Sequence, residues 1–590
     1  MAKRPDRAAK LQSRKDTQET VVKSGLVNHF QEDIDSELLL GALNDRVTAC
    51  SKRTVYASIS LNLLIREWFN GLEDVRDVHL FPEFWDPTFL RQLMLGTENA
   101  QQKTQCITSL FLRHPELLYN PKDRHAADRN VYSSAAIKLS TNVRNHLITN
   151  LPTVINKLLN IQGFQKPEVH YCRKRICGWK KRVGRYPDPI VTPEMENVID
   201  IARQLLGLKG TQDIGTLWLR DKDNLRFMLR FFVHVNRALA MREESLFALL
   251  PVCKVRSHYI TLDAHSIYGV LKDCKLFEGS ADKFLKEKSD VMKKVFKIPK
   301  REGFTGTMET DGISICFHYL KKKEVVEVSK GENSFLKGRV IGIDPGRSNI
   351  LFASEVLPSG AIKSYRLTRS QYYKESGIWE AKKHTEMWHK SIKNELSALS
   401  EVSSKGAALE GFLEYLRVFV SVRDAMWEEY LKRHWGRQRL GLYGGKKRAF
   451  AKFLNRLESG DGRDNRKPCV AFGAAKFAPG GKGEISVPTS RAFKECRNRF
   501  KTVAIDEFRT SRVSWMDDRL LEPVGRSDLR VAIRGLFWCG STINNKYMNR
   551  DANGALNIRR CGMAARPMIL DRKNATGALP NIPIRMWLKC

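Results

Sequence analysis

The sequence predicts a multidomain α+β protein: a helical first lobe, a small β domain, and an α/β unit carrying a small insert. Three observations predict it. The chain has 590 residues, too many for one ordinary core, so at least two or three domains are expected. Hydrophobic residues are 42% and aromatics 9%, enough to fill real cores, which excludes global disorder. The hydrophobic pattern also changes character twice, from helical to β near residue 250, and to mixed strands and helices near residue 340.

The charge narrows the class of partner. Lys and Arg number 101 against 65 Asp and Glu, a formal net charge of +36. Solubility needs far less, and such an excess points to a polyanion, most often nucleic acid. Twelve cysteines are spread without the even framework of a disulfide-rich secreted chain. The first residues, MAKRPDRAAKLQSRKD, contain no apolar run of the secretory kind. The longest apolar stretches, such as Leu246 to Cys253, fall far short of the roughly 20 residues of a membrane span. A soluble protein of a reducing compartment, with no membrane partner, is expected. Lys180-Lys181-Arg182 and Lys446-Lys447-Arg448 fit nuclear signals and phosphate contacts equally.

The elements follow in order. Residues 1–40 read as a basic arm, followed by a candidate first strand of the β domain. Over 41–250 the apolar spacing is helical, through Val55, Ile59, Leu63, Leu64 and Trp68 and again through Leu147, Ile148, Val154, Ile155 and Leu158. Cys172 and Cys177 have no partner pair nearby and read as free thiols. Residues 251–337 read as a small β barrel. SHYITLDAHSIYGVL alternates, ETDGISICFHYL turns at Asp311-Gly312 into a strand, and EVVEV is another short strand. At Val340 the α/β unit opens with RVIGIDPGRSNILFASEV, a strand, a Gly-rich turn and a second strand. It is expected over 338–508, with long helices at 380–457, and again over 548–590, with the insert at 509–547. Phe412, Leu416, Phe419, Val422, Met426 and Tyr430 recur at helical spacing and should face a core. The stretch 431–467 carries twelve Lys and Arg and only three acids, which marks Lys432, Arg433, Arg437, Arg439, Lys446, Lys447 and Arg448 as candidate nucleic-acid contacts. Trp435 and Tyr443 interleave with them and fit base stacking or core anchoring equally. Further on come strands at PCVAFGAAKF and TVAIDEF, a helix near Arg491 to Phe500, and a last helix near Asp551.

Acids at strand ends stand out against so basic a chain. Asp344 closes an apolar strand in Ile341-Gly-Ile-Asp-Pro-Gly346, an arrangement shared by actin-like phosphotransferases and RNase H-like nucleases, or simply a turn cap. Glu507 closes Val503-Ala-Ile-Asp-Glu-Phe. Asp551 opens a helix, where a carboxylate also fits an N-cap or first-turn role. Together, on strand, strand and helix, the three are more specific than any one alone. Carboxylates of this kind hold two Mg²⁺ ions for phosphodiester hydrolysis, since Mg²⁺ prefers oxygen ligands and keeps several waters.

At these motifs the sequence resembles a known family. VIGIDPGRSNI, LTRSQYY, AIDEFRTS, RGLFWC and NRDANGALNI together resemble Fanzor proteins, eukaryotic relatives of the transposon-encoded TnpB nucleases and of compact type V CRISPR effectors. YITLD and TDGISICF resemble the β-barrel wedge domain of that family. The motifs run from about 255 to 560, and the first 250 residues fit a recognition lobe by position and composition only. The resemblance implies an RNA-guided DNA endonuclease with a RuvC (RNase H-like) site, a guide RNA, and target double-stranded DNA bearing a short flanking motif. It also implies a monomeric ribonucleoprotein in the nucleus. Mg²⁺ or Mn²⁺ is the implied cofactor. Asp344 matches the first RuvC carboxylate and Asp551 the third. The second usually closes the strand corresponding to Cys469–Phe477, where this chain has Gly473 and Ala474. Fanzor proteins commonly use a relocated Glu, which Glu507 fits. Its neighbour Asp506 is the rival, although adjacent strand residues face opposite sides, and Glu484 is a third candidate. Arg550 is read as a phosphate contact or a local ion pair, and Asn553 as support for the carboxylates or a helix-start polar residue. Relatives carry a four-cysteine zinc site in the insert. This chain keeps only Cys539 between Thr510-Ser511 and Asp551, so no zinc is expected. Trp515, Leu536, Phe537 and Trp538 are expected as an apolar substitute core, or the insert as mobile. Three rival classes remain: a cleavage-deficient guided binder, an unguided RNase H-like transposase or resolvase, and an actin-like ATPase.

Overall fold

The computed structural model describes residues 17–70, 83–96, 105–117, 129–178, 189–322, 335–460, 466–475, 477, 486–527, 531–540, 546–571 and 586–588. The arm at 1–16, Lys180-Lys181-Arg182, the EVVEV segment and Glu484 lie outside the described residues. The chain is a multidomain α+β protein that divides into two units, Met1–Lys323 with Trp388–Leu440, and Glu324–Met387 with Gly441–Cys590.

The first unit begins with β1 (Thr17–Gly25), then runs through α1 (Ser36–Asn70), α2 (Pro87–Leu95), α3 (Gln105–Arg113), α4 (Arg129–Ile161), α5 (Lys166–Cys177), α6 (Pro193–Leu205), α7 (Thr216–Arg220) and α8 (Asn224–Ala240). The helix starts are written in the sequence. Asp86 accepts from the Thr88 N–H ahead of Pro87, and Thr192 accepts from the Met195 N–H ahead of Pro193. These helices share one core, with Leu63, Leu147, Phe231 and Phe232 fully buried. Each such side chain contributes about 1.5–3 kcal/mol of transfer free energy. Cys172 and Cys177 are buried free thiols, and burial pushes each up to about 11.

The β domain departs from its expectation. β2 (Ile260–Leu262), β3 (Phe304–Thr310) and β4 (Ser314–Lys322) join β1 in an antiparallel sheet of order β1-β4-β3-β2. Among the described residues this sheet is open, not a closed barrel. Most of SHYITLDAHSIYGVL is helical, because Asp263 accepts from both the N–H and the hydroxyl of Ser266 and so caps α9 (Ala264–Asp273). Ser266, Ile267, Val270 and Leu271 are then buried at helical spacing. A second helix, α10 (Ala281–Val295), follows within the same region.

The second unit holds a five-stranded mixed sheet. β5 (Val340–Pro345), β6 (Asn349–Val356) and β7 (Ile362–Thr368) pair antiparallel, while β8 (Cys469–Gly473) and β9 (Thr502–Ile505) add in parallel, giving the order β7-β6-β5-β8-β9. Between β7 and β8 lie α11 (Arg369–Glu375), α12 (Ile378–Trp388), α13 (Lys393–Glu401), α14 (Leu409–Tyr430) and α15 (Arg433–Ser459). They do not all belong with the sheet, as a nuclease domain running through 338–508 would have it. Residues 388–440 belong to the first unit, because Phe412, Leu416, Phe419 and Trp427 are buried in the core that α1 helps to build. The last half of α15 lays Ala449, Phe450, Phe453, Leu454 and Leu457 on the sheet core.

After α16 (Thr489–Arg499) and β9, the strands β10 (Glu522–Arg526), β11 (Val531–Cys539) and β12 (Lys546–Asn549) form a second sheet, of order β12-β11-β10-β13. The fourth strand, β13 (Met586–Leu588), pairs parallel to β10, so the end of the 548–590 segment joins the insert's sheet. Parallel pairing across 60 residues leaves no local signal in the sequence. The insert's core is Leu521, Cys539 and Met548, with Trp515 and Phe537 against it. Trp538 instead meets Tyr547 edge-on, and Leu536 is only half-buried. Between β12 and β13, α17 (Arg550–Met563) packs across β5, β6 and β8. A Cβ on Gly342 of β5 would sit 1.9 Å from the Ala555 carbonyl oxygen, so only glycine lets this helix lie so close.

Candidate active site

Three elements of the second unit deliver carboxylates to one pocket of about 520 Å³. β5 is covered on both faces, burying Val340, Ile341 and Ile343, and ends by presenting Asp344 half-buried at the pocket. Its Oδ2 lies 2.5 Å from where a Cβ on Gly554 of α17 would stand. Asp551 is on the first turn of the same helix. It is not the cap: Asn549 takes that role, its Oδ1 accepting from the N–H groups of Asp551 and Ala552, both at 3.0 Å. Asp551 Oδ2 therefore faces the pocket, where Asn349 Nδ2 donates to it at 2.6 Å.

The third carboxylate comes from beyond β9. Chain pairing carries Ala474 N–H onto the Ile505 carbonyl at 2.8 Å, which brings the end of β9 level with Gly473. Glu507 then reaches back across β8. Its Oε1 accepts from the Ala475 N–H at 3.1 Å and stands 2.0 Å from the site a Cβ on Gly473 would take. Glu507 thus fills the volume that a side chain at 473 would need. Asp506 points elsewhere: its Oδ1 accepts from the Phe508 N–H, and its Oδ2 lies 4.0 Å from Arg566 Nη1.

The acids strain one another electrostatically. Burial, then the charges of Glu507 and Asp551, hold the Asp344 carboxyl well above the usual carboxylate range, and Arg550 opposes them. Burial pushes Glu507 up to about 7, with Asp506 adding and the Ala475 N–H and Arg550 opposing. Arg550 is the cation that opposes these shifts, and a hard divalent cation fits the chemistry of such a set. Among the described residues, no three His, Cys, Asp or Glu groups are gathered tightly enough to close on an ion as they stand. The fit is therefore one of donor type and shared pocket. Asp344, Glu507 and Asp551 are the residues that would hold Mg²⁺ or Mn²⁺.

Arg550 lines the pocket, as do Arg347 and Arg534, two residues the sequence reading missed. Arg534 comes from β11 of the insert, where it opens the RGLFWC motif; nothing in that motif says that β11 reaches the pocket of Asp344. Asn349 was also missed, although it lies in the same GIDPGRSNI run as Asp344. Asn553 does not face the carboxylates. It is buried, donates to the Thr510 and Val513 carbonyls, and accepts from the Trp515 N–H at 3.1 Å. Its work is to tie the segment after Glu507 to α17. The insert's remaining thiol, Cys539, is buried against Leu521 and Met548.

The basic candidates separate into groups. Lys432 is paired with Glu429 at 2.7 Å, and Arg439 with the buried Asp311 at 3.2 Å. Arg433 and Arg437 are exposed and make no ion pair among the described residues, and the same holds for Lys447 and Arg448. Lys446 is half-buried, and burial lowers its ammonium, with Arg491 adding to the effect. Trp435 is buried, with its Nε1 donating to Glu429 Oε1 at 3.1 Å. Arg491 lies over the Tyr443 ring at 5.4 Å. Among the described residues no helix is long and apolar enough to cross a membrane. The sequence matches no protein-family model and no curated protein.

Proposed function

We propose that this chain is a guide-RNA-directed DNA endonuclease of the Fanzor kind. In this reading the second unit is a RuvC (RNase H-like) domain that hydrolyses phosphodiesters, and the sheet β1-β4-β3-β2 with its helices is the wedge domain. The observation that carries the proposal is the convergence of Asp344, Glu507 and Asp551 on one pocket that also collects Arg347, Arg534 and Arg550. Carboxylates beside arginines match a reaction in which a phosphate must be held while an oxygen attacks it.

Divalent ions held by the three acids would supply the positive charge that stabilises a phosphodiester in its transition state. The chain's own residues do the rest. Asn349 fixes one oxygen of Asp551, and the Ala475 N–H fixes one of Glu507, so both carboxylates are oriented before substrate arrives. Arg550 and Arg534 offer guanidinium groups to the phosphate backbone. The net charge of +36 supports a polyanionic partner; in this reading that partner is RNA and DNA together, and the protein acts as a monomeric nuclear ribonucleoprotein.

The test uses the full chain with the RNA that copurifies with it and a plasmid matching the variable end of that RNA. Guided cutting that disappears in Asp344→Ala and Asp551→Ala supports the reading. Retained cutting in either variant sinks the site. Binding without cutting in the wild type identifies a cleavage-deficient binder, and cutting without RNA identifies an unguided transposase or resolvase.

A further inference from the structure

The first unit holds a second cavity, of about 480 Å³, between the 252–256 segment and helices α13, α14 and α15. Its walls include Tyr415, Phe419, Tyr430 and Trp435. Tyr415 and Phe419 lie nearly parallel, with ring centroids 6.2 Å apart and 23° between planes, and Tyr430 and Trp435 are 5.1 Å apart. The polar tips of the second pair are tied into the protein. Tyr430 Oη is 3.0 Å from His389 Nε2, and Trp435 Nε1 donates to Glu429. That second pair of rings is therefore held in place, ready to meet a planar group with little further loss of freedom.

Charge tells what kind of planar group. Arg256 and Arg439 both line this cavity. Arg439 already shares its charge with Asp311, whose carboxylate also accepts from the N–H and the hydroxyl of Ser314. Arg256 is exposed and makes no ion pair among the described residues. Two guanidinium groups at one mouth thus meet one acid, which leaves an unanswered positive charge beside a stack of aromatic rings. The same crowding appears in the ring of His258, which burial, Arg256 and Arg439 all disfavour from taking a proton. An aromatic slot under a surplus arginine matches a nucleobase with its own phosphate.

We propose that this cavity takes the base of one unpaired nucleotide of the bound RNA, stacked on Tyr415 and its neighbours, with the phosphate on Arg256. The inference rests on the guide-RNA reading. RNA is the fitting source because loops and bulges offer unstacked bases, whereas paired strands offer only edges and phosphates. At about 480 Å³ the cavity has room for one base and its sugar, not for a paired step.

The full chain with its copurified RNA is irradiated at short ultraviolet wavelength, digested, and its nucleotide adducts mapped by mass spectrometry. Ribonucleotide adducts are expected on the peptides carrying Tyr415, Tyr430 or Trp435. Tyr415→Leu, which keeps an apolar side chain but removes the stacking face, and Arg256→Glu, at an exposed position, should each abolish these adducts. Each should also weaken binding of the same RNA about 5- to 100-fold, the range expected for losing one stacked base, with unchanged circular dichroism. Adducts confined to other peptides, deoxyribonucleotide adducts at these rings, or wild-type binding by both variants would overturn the proposal while leaving the nuclease reading intact. If no RNA copurifies, the guide-RNA reading falls, and this pocket's occupant falls with it.

Discussion

Gly473→Ala is a one-carbon change with a large predicted effect. The added Cβ would begin 2.0 Å from Glu507 Oε1, 2.7 Å from its Cδ and 2.9 Å from Pro345 Cδ. Ordinary contact needs about 3.4 Å, so the carboxylate must retreat by about 1 Å or more. It cannot do so freely, because Oε1 also accepts from the Ala475 N–H. Misplacement of a reacting group by about 1 Å costs on the order of 100-fold in rate. Guided plasmid cutting by Gly473→Ala should therefore fall by roughly that factor. The folded protein should survive, since a methyl beside a partly exposed carboxylate costs about 1–3 kcal/mol at most. Single-turnover cutting, with melting as the fold control, measures both. Wild-type cutting in Gly473→Ala would refute the assignment of Glu507, because a carboxylate pushed that far could not still do its work.

Three more outcomes are expected. Glu507 rises from 4.5 to about 7 in the fold, so the folded chain keeps a proton that the unfolded chain has released. Metal-free stability should then fall as pH rises through that window and level off above it, and Glu507→Gln should flatten the fall by about 1–3 kcal/mol. Melting curves across pH would show no difference between the two proteins if the reasoning fails. Mg²⁺ should raise the melting temperature of the wild type at pH 8 more than that of Asp344→Asn, because relief of mutual repulsion is available only where the acids are ionised. Equal shifts would remove the proposed metal site. Asn553→Ala should cost about 2–3 kcal/mol in stability through three lost hydrogen bonds, yet cut well below its melting temperature. A cold, fully folded Asn553→Ala protein that cannot cut would give this residue a direct part in the chemistry.

Local chemistry made much of the second unit legible. VIGIDP followed by NILFASEV reads as a hairpin, and the buried strands β5 and β6 form it. The helical spacing of Phe412, Leu416, Phe419, Val422, Met426 and Tyr430 reads as a buried face; the first five are buried and Tyr430 is half-buried. What escaped was decided at long range. α14 packs with a core begun more than three hundred residues earlier, and β13 joins a strand sixty residues away. One miss was local: Asp263 followed by Ser266 is a cap signal that outweighed the strand-like alternation after it. In the site, the acids could be named from their neighbours. The volume shared by Gly473 and Glu507 could not, since only the parallel pairing of β8 with β9 makes those two positions meet.

Asn553 and Asn557, one turn apart on α17, donate to the same two carbonyls, those of Thr510 and Val513, at 2.7–3.0 Å. The segment they grip begins just past Glu507, and the helix they stand on begins at Asp551. The clamp therefore ties the segment after Glu507 to the helix that carries Asp551, while Glu507 itself is also held from β8 by the Ala475 N–H. Asp551 depends on the docking of α17, and Asp344 and Glu507 stand on the sheet. A partly docked helix would leave two acids in place and remove the third.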